Sequence, residues 1–198
     1  VPLYANSIYL ALNSGVTAVL GFFFWGAVAR LYSAHDVGVA SGLISSVSLL
    51  AFLASFGLDQ GIIRFLPAAG TKASRLLNSV FGVSGLCALA AAAVFLAGLR
   101  LWSPALLIAQ QHPAYVVTFL GAVPALTLLS MLSATFIGYR RASLAFLLGT
   151  GASVLRILLA LALVSWFGVF GVFAAWSLAL AAVVGLGIVV LLPRACPG

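Results

Sequence analysis

Charge is what this 198-residue sequence has least of: 6% of its side chains are Asp, Glu, Lys or Arg, and only Asp36 and Asp59 are acidic. A soluble domain usually carries about a quarter of its residues as charge, so this chain cannot solvate its outer surface as a free globule. The two carboxylates sit at opposite ends of one apolar run and form no acid–base pair, so no enzyme and no catalytic residue is expected. Cysteine is equally sparse. Cys87 lies within an apolar run and Cys196 in the tail, which suggests neither a disulfide framework nor a metal motif. His35 and His112 occupy different connections without a Cys or carboxylate cluster, so no metal site and no cofactor is expected. The glycine runs lack the lysine and spacing of a phosphate loop.

What the chain has instead is hydrocarbon. Hydrophobic residues make up 65% of it, and its mean hydropathy is +1.29. Five apolar runs, 5–29, 37–58, 76–99, 115–137 and 142–192, hold a single ionised residue, Arg156. A bilayer core of about 30 Å takes roughly 20 apolar residues as helix, so each run is long enough to cross it. The last is long enough for two crossings, since about 50 residues would make a helix of roughly 75 Å. Its natural break is Ser165-Trp166-Phe167-Gly168, followed by Gly171. The expected fold class is therefore an all-α integral membrane bundle of six helices, near 5–30, 37–65, 74–99, 114–138, 142–165 and 169–192. The lipid bilayer is its first partner.

The balance of charge is basic, +7 with a pI near 10.3. Nucleic-acid binding needs a concentrated basic patch, whereas these residues punctuate the ends of apolar runs, so no nucleic-acid partner is expected. Lys and Arg in short loops set orientation instead. Arg64, Lys72, Arg75, Arg140, Arg141 and Arg194 fall on one face, Arg30 and Arg100 on the other. That asymmetry places both ends of the chain in the cytoplasm. The start at Val1 and the stop soon after a span are expected of a fragment of a longer protein.

Local signals mark the connections. Ser33-Ala-His-Asp36 has the spacing of a capping box, with Ser33 accepting from the amide of Asp36. Pro67-Ala-Ala-Gly70 ends the second helix, and Ser74 is placed to start the third. Residues 105–111 are expected to form a short interfacial helix, and Pro124 removes a backbone donor inside the fourth span.

Polar residues within the spans recur at helical spacing. Ser41, Ser45, Ser48, Ser55 and Asp59 share one face of the second helix. Asn6, Asn13 and Thr17 do so on the first; Thr127, Ser130 and Ala134 on the fourth; Gly149, Ser153, Arg156 and Ala160 on the fifth. Two readings compete for these stripes: close helix packing through small and hydroxylated residues, or the walls of a wettable cavity. Asn13 and Asp59 fit pure packing less easily, because an amide or carboxylate in hydrocarbon needs partners. Gly57-Leu-Asp-Gln-Gly61 also has the small-xxx-small spacing of helix contacts. Arg156 either faces a cavity or snorkels towards the outer interface near Trp166. Arg64 is either a cavity residue or an anchor at a helix end.

The phrases Leu12-Asn13-Ser14-Gly15, Ala29-Arg30-Leu31-Tyr32-Ser33, Asp36-Val37-Gly38 and Gly57-Leu58-Asp59-Gln60-Gly61-Ile62-Ile63-Arg64-Phe65 resemble the start of bacterial polysaccharide and O-antigen flippases. These belong to the multidrug/oligosaccharidyl-lipid/polysaccharide exporter superfamily. The phrase from Phe167 to Trp176 is similar to the glycine-rich opening of that family's sixth helix. The resemblance implies two six-helix lobes around a central cavity, of which this chain supplies the N-terminal one. A missing second half or a second copy completes it. It further implies alternating access in the cytoplasmic (inner) membrane, with a polyprenyl-diphosphate-linked sugar or oligosaccharide as cargo for cell-surface polysaccharide synthesis. In that setting Arg156 and Arg64 are the candidates for the diphosphate, with Arg30 at the outer mouth. Asn13, Ser41, Ser45 and Ser48 would contact sugar hydroxyls. Asp59 would pair with a basic residue or bind a coupling cation. The alternatives are a multidrug/cation antiporter of the same superfamily, which would favour an acidic cavity, and a non-transporting membrane assembly subunit.

Overall fold

A computed structural model describes residues 3–192, apart from the side chains of residues 3–6, 105 and 164–169. Among the described residues every regular element is helical. They run as α1 (Leu3–Leu31), α2 (Ala34–Ser55), α3 (Leu58–Phe65), α4 (Ala73–Ala97), α5 (Leu99–Trp102), α6 (Ile108–Gln111), α7 (Pro113–Gly138) and α8 (Ala142–Leu186). A π-helical turn, Gly187–Leu191, follows. Six stretches are long and apolar enough to cross a membrane: Ser7–Leu31, Ala34–Ser55, Gly70–Ala97, Pro113–Gly138, Ala142–Leu163 and Phe170–Leu191. The architecture is that of a multi-pass membrane bundle.

Helical hydrogen bonding continues from Ala142 to Leu186, yet the chain cannot be straight over that length. A Cβ built on Gly187 would lie 3.3 Å from Leu148 Cδ2. Along an uninterrupted helix those residues would be roughly 58 Å apart at about 1.5 Å per residue. The last run therefore doubles back between Leu148 and Gly187, as its length requires. Its returning limb is the most enclosed span: 50% of its most apolar stretch is buried, against 6% for Ser7–Leu31. α1 is peripheral and packs chiefly on the first limb of α8.

The connections gather at two ends. Leu66 packs on Gly138, and Ile62, Leu66, Leu77, Met131 and Ala134 share one buried cluster. The links carrying Arg64, Lys72, Arg75, Arg140 and Arg141 thus meet at one end, where Ile137, Tyr139, Leu191 and Leu192 all pack against the buried cluster that holds Leu132 and Phe136. At the other end Val39, Leu106, Ala109 and Tyr115 close together, and the Tyr115 ring meets Phe170 at 4.8 Å. Arg30 and Arg100 flank that end, whereas Arg194 lies outside the described residues.

Three local expectations change. The second span is not one helix over 37–65: α2 stops at Ser55, and Phe56 and Gly57 both take left-handed conformations (φ 45° and 71°) before α3 begins. Glycine adopts such a φ freely, whereas Phe56 has no such freedom and its positive φ costs about 1–2 kcal/mol. Gly57 and Gly61 therefore serve no close helix contact, since a Cβ on either would meet nothing within 4 Å. Second, α4 begins at Ala73 after Lys72 rather than from a Ser74 cap. Third, residues 105–111 form no single helix but a 3-10 turn, Pro104–Leu106, and the one-turn α6. Gln110 secures this segment by donating its side-chain amide to the Leu96 carbonyl. The Ser33 cap is as expected, accepting from the Asp36 amide at 3.2 Å, and α7 runs unbroken through Pro124.

Candidate functional site

The polar side chains of the spans separate into two regions. The first is a seam between α1 and the first limb of α8, built on the Gly149, Ser153, Arg156, Ala160 stripe. At Gly149 the helices approach so closely that a Cβ would meet Asn13 Oδ1 at 2.5 Å and Thr17 Cγ2 at 3.5 Å. Thr17 donates to the Asn13 carbonyl of its own helix, and Ser153 to the Gly149 carbonyl at 2.9 Å. One turn further, Arg156 Nη2 donates to Ser153 Oγ at 3.1 Å, and its guanidinium lies 5.5 Å from the Phe24 ring centroid. It also lies beside Gly21, 3.8 Å from where a Cβ would stand. At the seam's end Tyr32 donates to the Ala160 carbonyl at 3.2 Å, and burial raises the pKa of its phenol above the ordinary value.

Arg156 thus turns into the α1 contact and not towards the outer interface. Its side chain turns back to Ser153, the direction in which helical side chains lean. The attraction of the Phe24 face and the Ser153 hydroxyl partly offsets the cost of a guanidinium at this depth. The seam still leaves Asn13 Oδ1 and Arg156 Nε buried without a hydrogen-bond partner.

The second region is a groove of about 380 Å³ between α2–α3 and α7. Ser48, Ser55 and Asp59 form one wall, Thr127, Ser130 and Ser133 the other. Asp59 survives the break in the second span as a neighbour of Ser55, because the left-handed pair turns the first turn of α3 back towards α7. It stands beside Ser130 and Ser133, residues five to eight positions before α7 ends, hence roughly 8–12 Å inside that end. Its Oδ2 accepts from Gln60 Nε2 at 3.4 Å, and among the described residues no cation pairs with it. A second, mostly apolar groove of about 750 Å³ shares Phe52, Ser55 and Asp59 and continues past Phe56 and Gln60 to Cys87, Ala90 and Ala91 of α4.

The candidates named from sequence are therefore dispersed. Asn13 and Arg156 both lie in the seam, about two turns apart; Ser48 and Asp59 share the groove. Ser41, which donates to the Gly38 carbonyl at 2.9 Å, and the exposed Ser45 lie further along α2 and line neither groove. Arg30 lies at the far end beside Phe22, Phe23 and Gly26 on the outward face of α1. Arg64 is exposed at the basic end, with its guanidinium 5.5 Å from the Phe65 ring centroid. Sequence reasoning missed Ser133 and the Cys87 wall. Ser133 was legible as the residue three beyond Ser130, whereas Cys87 looked like any small packing residue. Asn6 lies outside the described side chains.

Comparison with protein-family models, with curated proteins and with solved structures found no match.

Proposed function

We propose that this chain is one six-helix lobe of a membrane carrier that moves polyprenyl-diphosphate-linked sugars or oligosaccharides from the cytoplasmic to the outer leaflet. Further sequence or a second copy supplies the facing lobe, and the two rock in alternating access. The basic end, with Arg64, Lys72, Arg75, Arg140 and Arg141, faces the cytoplasm.

One observation carries this reading: the second span ends at Ser55, and the left-handed turn at Phe56–Gly57 carries Asp59, which no cation among the described residues pairs with, into a hydroxyl-lined groove. Secondary transporters build their sites from such discontinuous helices, where irregular backbone lines a cavity. With Arg156 engaged in the seam, the diphosphate falls to Arg64 and Arg30, exposed at opposite ends of the bundle. Each can meet the headgroup at its own leaflet, with fixed donors suited to phosphate oxygens.

A cation antiporter is the second reading, favoured by the groove itself, which holds a carboxylate and no Lys or Arg. Reconstitution into vesicles distinguishes the two. A fluorescent lipid-linked saccharide should become inaccessible to a membrane-impermeant quencher as it is translocated, and Asp59→Leu with Ser130→Val should stop this. Saccharide translocation unaltered in that double variant, at normal protein level, would remove the groove from the mechanism. Uptake of an organic cation without saccharide movement would favour the antiporter.

A further inference from the structure

We infer that the two grooves meeting at Ser55 and Asp59 form one amphiphile site, in which the hydroxyl-lined groove takes an uncharged, polyhydroxylated head and the apolar groove takes its hydrocarbon chain. This deepens the carrier reading by naming which part of a sugar-bearing lipid is recognised here.

The inference rests on which hydrogen-bonding capacity the groove has left. Ser48 donates to the Ile44 carbonyl at 2.8 Å, Ser55 to Phe52 at 2.8 Å and Thr127 to Val123 at 2.9 Å, each within its own helix. Their protons are spent, and what these hydroxyls turn towards the groove are lone pairs. Asp59 adds carboxylate oxygens, which only accept when ionised. The hydroxyls of Ser130 and Ser133 rotate to suit a ligand. Apart from those two hydroxyls, which can donate as well as accept, the wall offers acceptors only. A sugar head, which brings several O–H donors, complements it. A phosphate or diphosphate brings only more acceptors and negative charge beside Asp59, and that juxtaposition is repulsive.

The tail argument is equally local. Phe52 and Phe56, each 75% exposed, stand with Leu53, Ala90 and Ala91 around the second groove. The two spaces, about 380 and 750 Å³, share Phe52, Ser55 and Asp59, so a head in one continues into a chain in the other. Both volumes lie in the range of about 300–1,000 Å³ typical of ligand sites.

The test uses the purified full chain in phosphatidylcholine nanodiscs. An alkyl glucoside with a diazirine on its chain is photolysed there, and adducts are mapped by mass spectrometry. Adducts should concentrate on residues 52–60 and 87–91 and be competed by unlabelled alkyl glucoside. An alkyl phosphate probe of the same chain length should label these segments roughly tenfold less, the scale of one charge-linked hydrogen bond. Asp59→Leu should erase that preference. The pair Ser130→Ala and Ser133→Ala, which removes only hydroxyls, should weaken it and guards against misfolding of the first variant. Equal labelling by both heads, adducts spread evenly over the lipid-facing surface, or labelling by an alkylammonium probe alone would each overturn the inference. Failure of the carrier reading is distinguishable: labelling intact in a chain that moves no saccharide sinks transport and leaves the site standing.

Discussion

The seam and the groove are made of the same materials: serine, threonine, glycine and one ionisable residue on apolar helices. They differ in what the partner helix offers. Across the seam α1 presents Gly21 and Phe24 to Arg156 and an amide to Gly149, so the helices close, even though Asn13 Oδ1 and Arg156 Nε find no hydrogen-bond partner there. Across the groove α7 presents hydroxyls to hydroxyls, and α2 breaks before the helices can close. A polar stripe within a span therefore acquires its meaning from the facing helix. The seam is a packing device, and the groove is a space.

The sharpest way to break that contrast is to enlarge the seam. Gly149→Leu places a side chain where even a Cβ meets Asn13 Oδ1 at 2.5 Å. Overpacking of this kind typically costs 1–3 kcal/mol, and the upper end, about 3 kcal/mol, is expected because α1 has little other contact to hold it. Thermal unfolding in detergent should fall accordingly, and Asn13→Ala should restore part of the loss. Stability unchanged by Gly149→Leu would mean that α1 does not dock through this face.

A smaller effect is expected at the groove's own glycine. Gly57→Ala introduces a Cβ that meets nothing within 4 Å, so its cost comes from the backbone alone, about 1 kcal/mol at φ 71°. Because the strain favours straightening the Phe56–Gly57 turn, translocation should drop further than stability does. Measuring both on one preparation separates the two glycines: Gly149 is needed for space, Gly57 for conformation. Equal losses of stability and transport at Gly57 would make the break mere scaffolding.

Much of this was legible in advance, and the exceptions have physical causes. Run length gave six spans because hydrocarbon thickness is a hard constraint, and the 142–192 run had to reverse for the same reason. Helical spacing placed the Gly149, Ser153, Arg156, Ala160 stripe on one face; Gly149 and Arg156 do meet α1, and Ala160 shares a buried cluster with Phe24 and Val28. Spacing could not tell that face from the Ser48, Ser55, Asp59 face, because periodicity reports a direction and never the opposing residues. The break at Phe56–Gly57 was hidden for another reason. Gly57 and Gly61 satisfied a helix-packing pattern, and Phe56 gives no warning of a left-handed residue, since few non-glycine residues adopt one.

Arg156 decides whether the contrast holds, and its expected stability change is the smallest. Arg156→Met keeps an unbranched chain between α1 and α8 while removing the hydrogen bond to Ser153 and the charge beside Phe24. Those losses oppose the relief of a half-buried guanidinium whose Nε has no partner, and replacing buried ionic groups by apolar ones of similar volume is often neutral. Stability should therefore move by no more than about 1 kcal/mol. Translocation of a lipid-linked saccharide should stay within about fivefold of the parent, the factor that such a stability margin permits through fewer folded molecules. Asp59→Leu, by contrast, should abolish translocation with stability preserved. If Arg156→Met instead stopped translocation in a chain that unfolds at its usual temperature, while Arg156→Lys restored it, the charge would be acting on cargo. The seam would then open during the transport cycle, and α1 would be a moving wall of the pathway rather than its outer support.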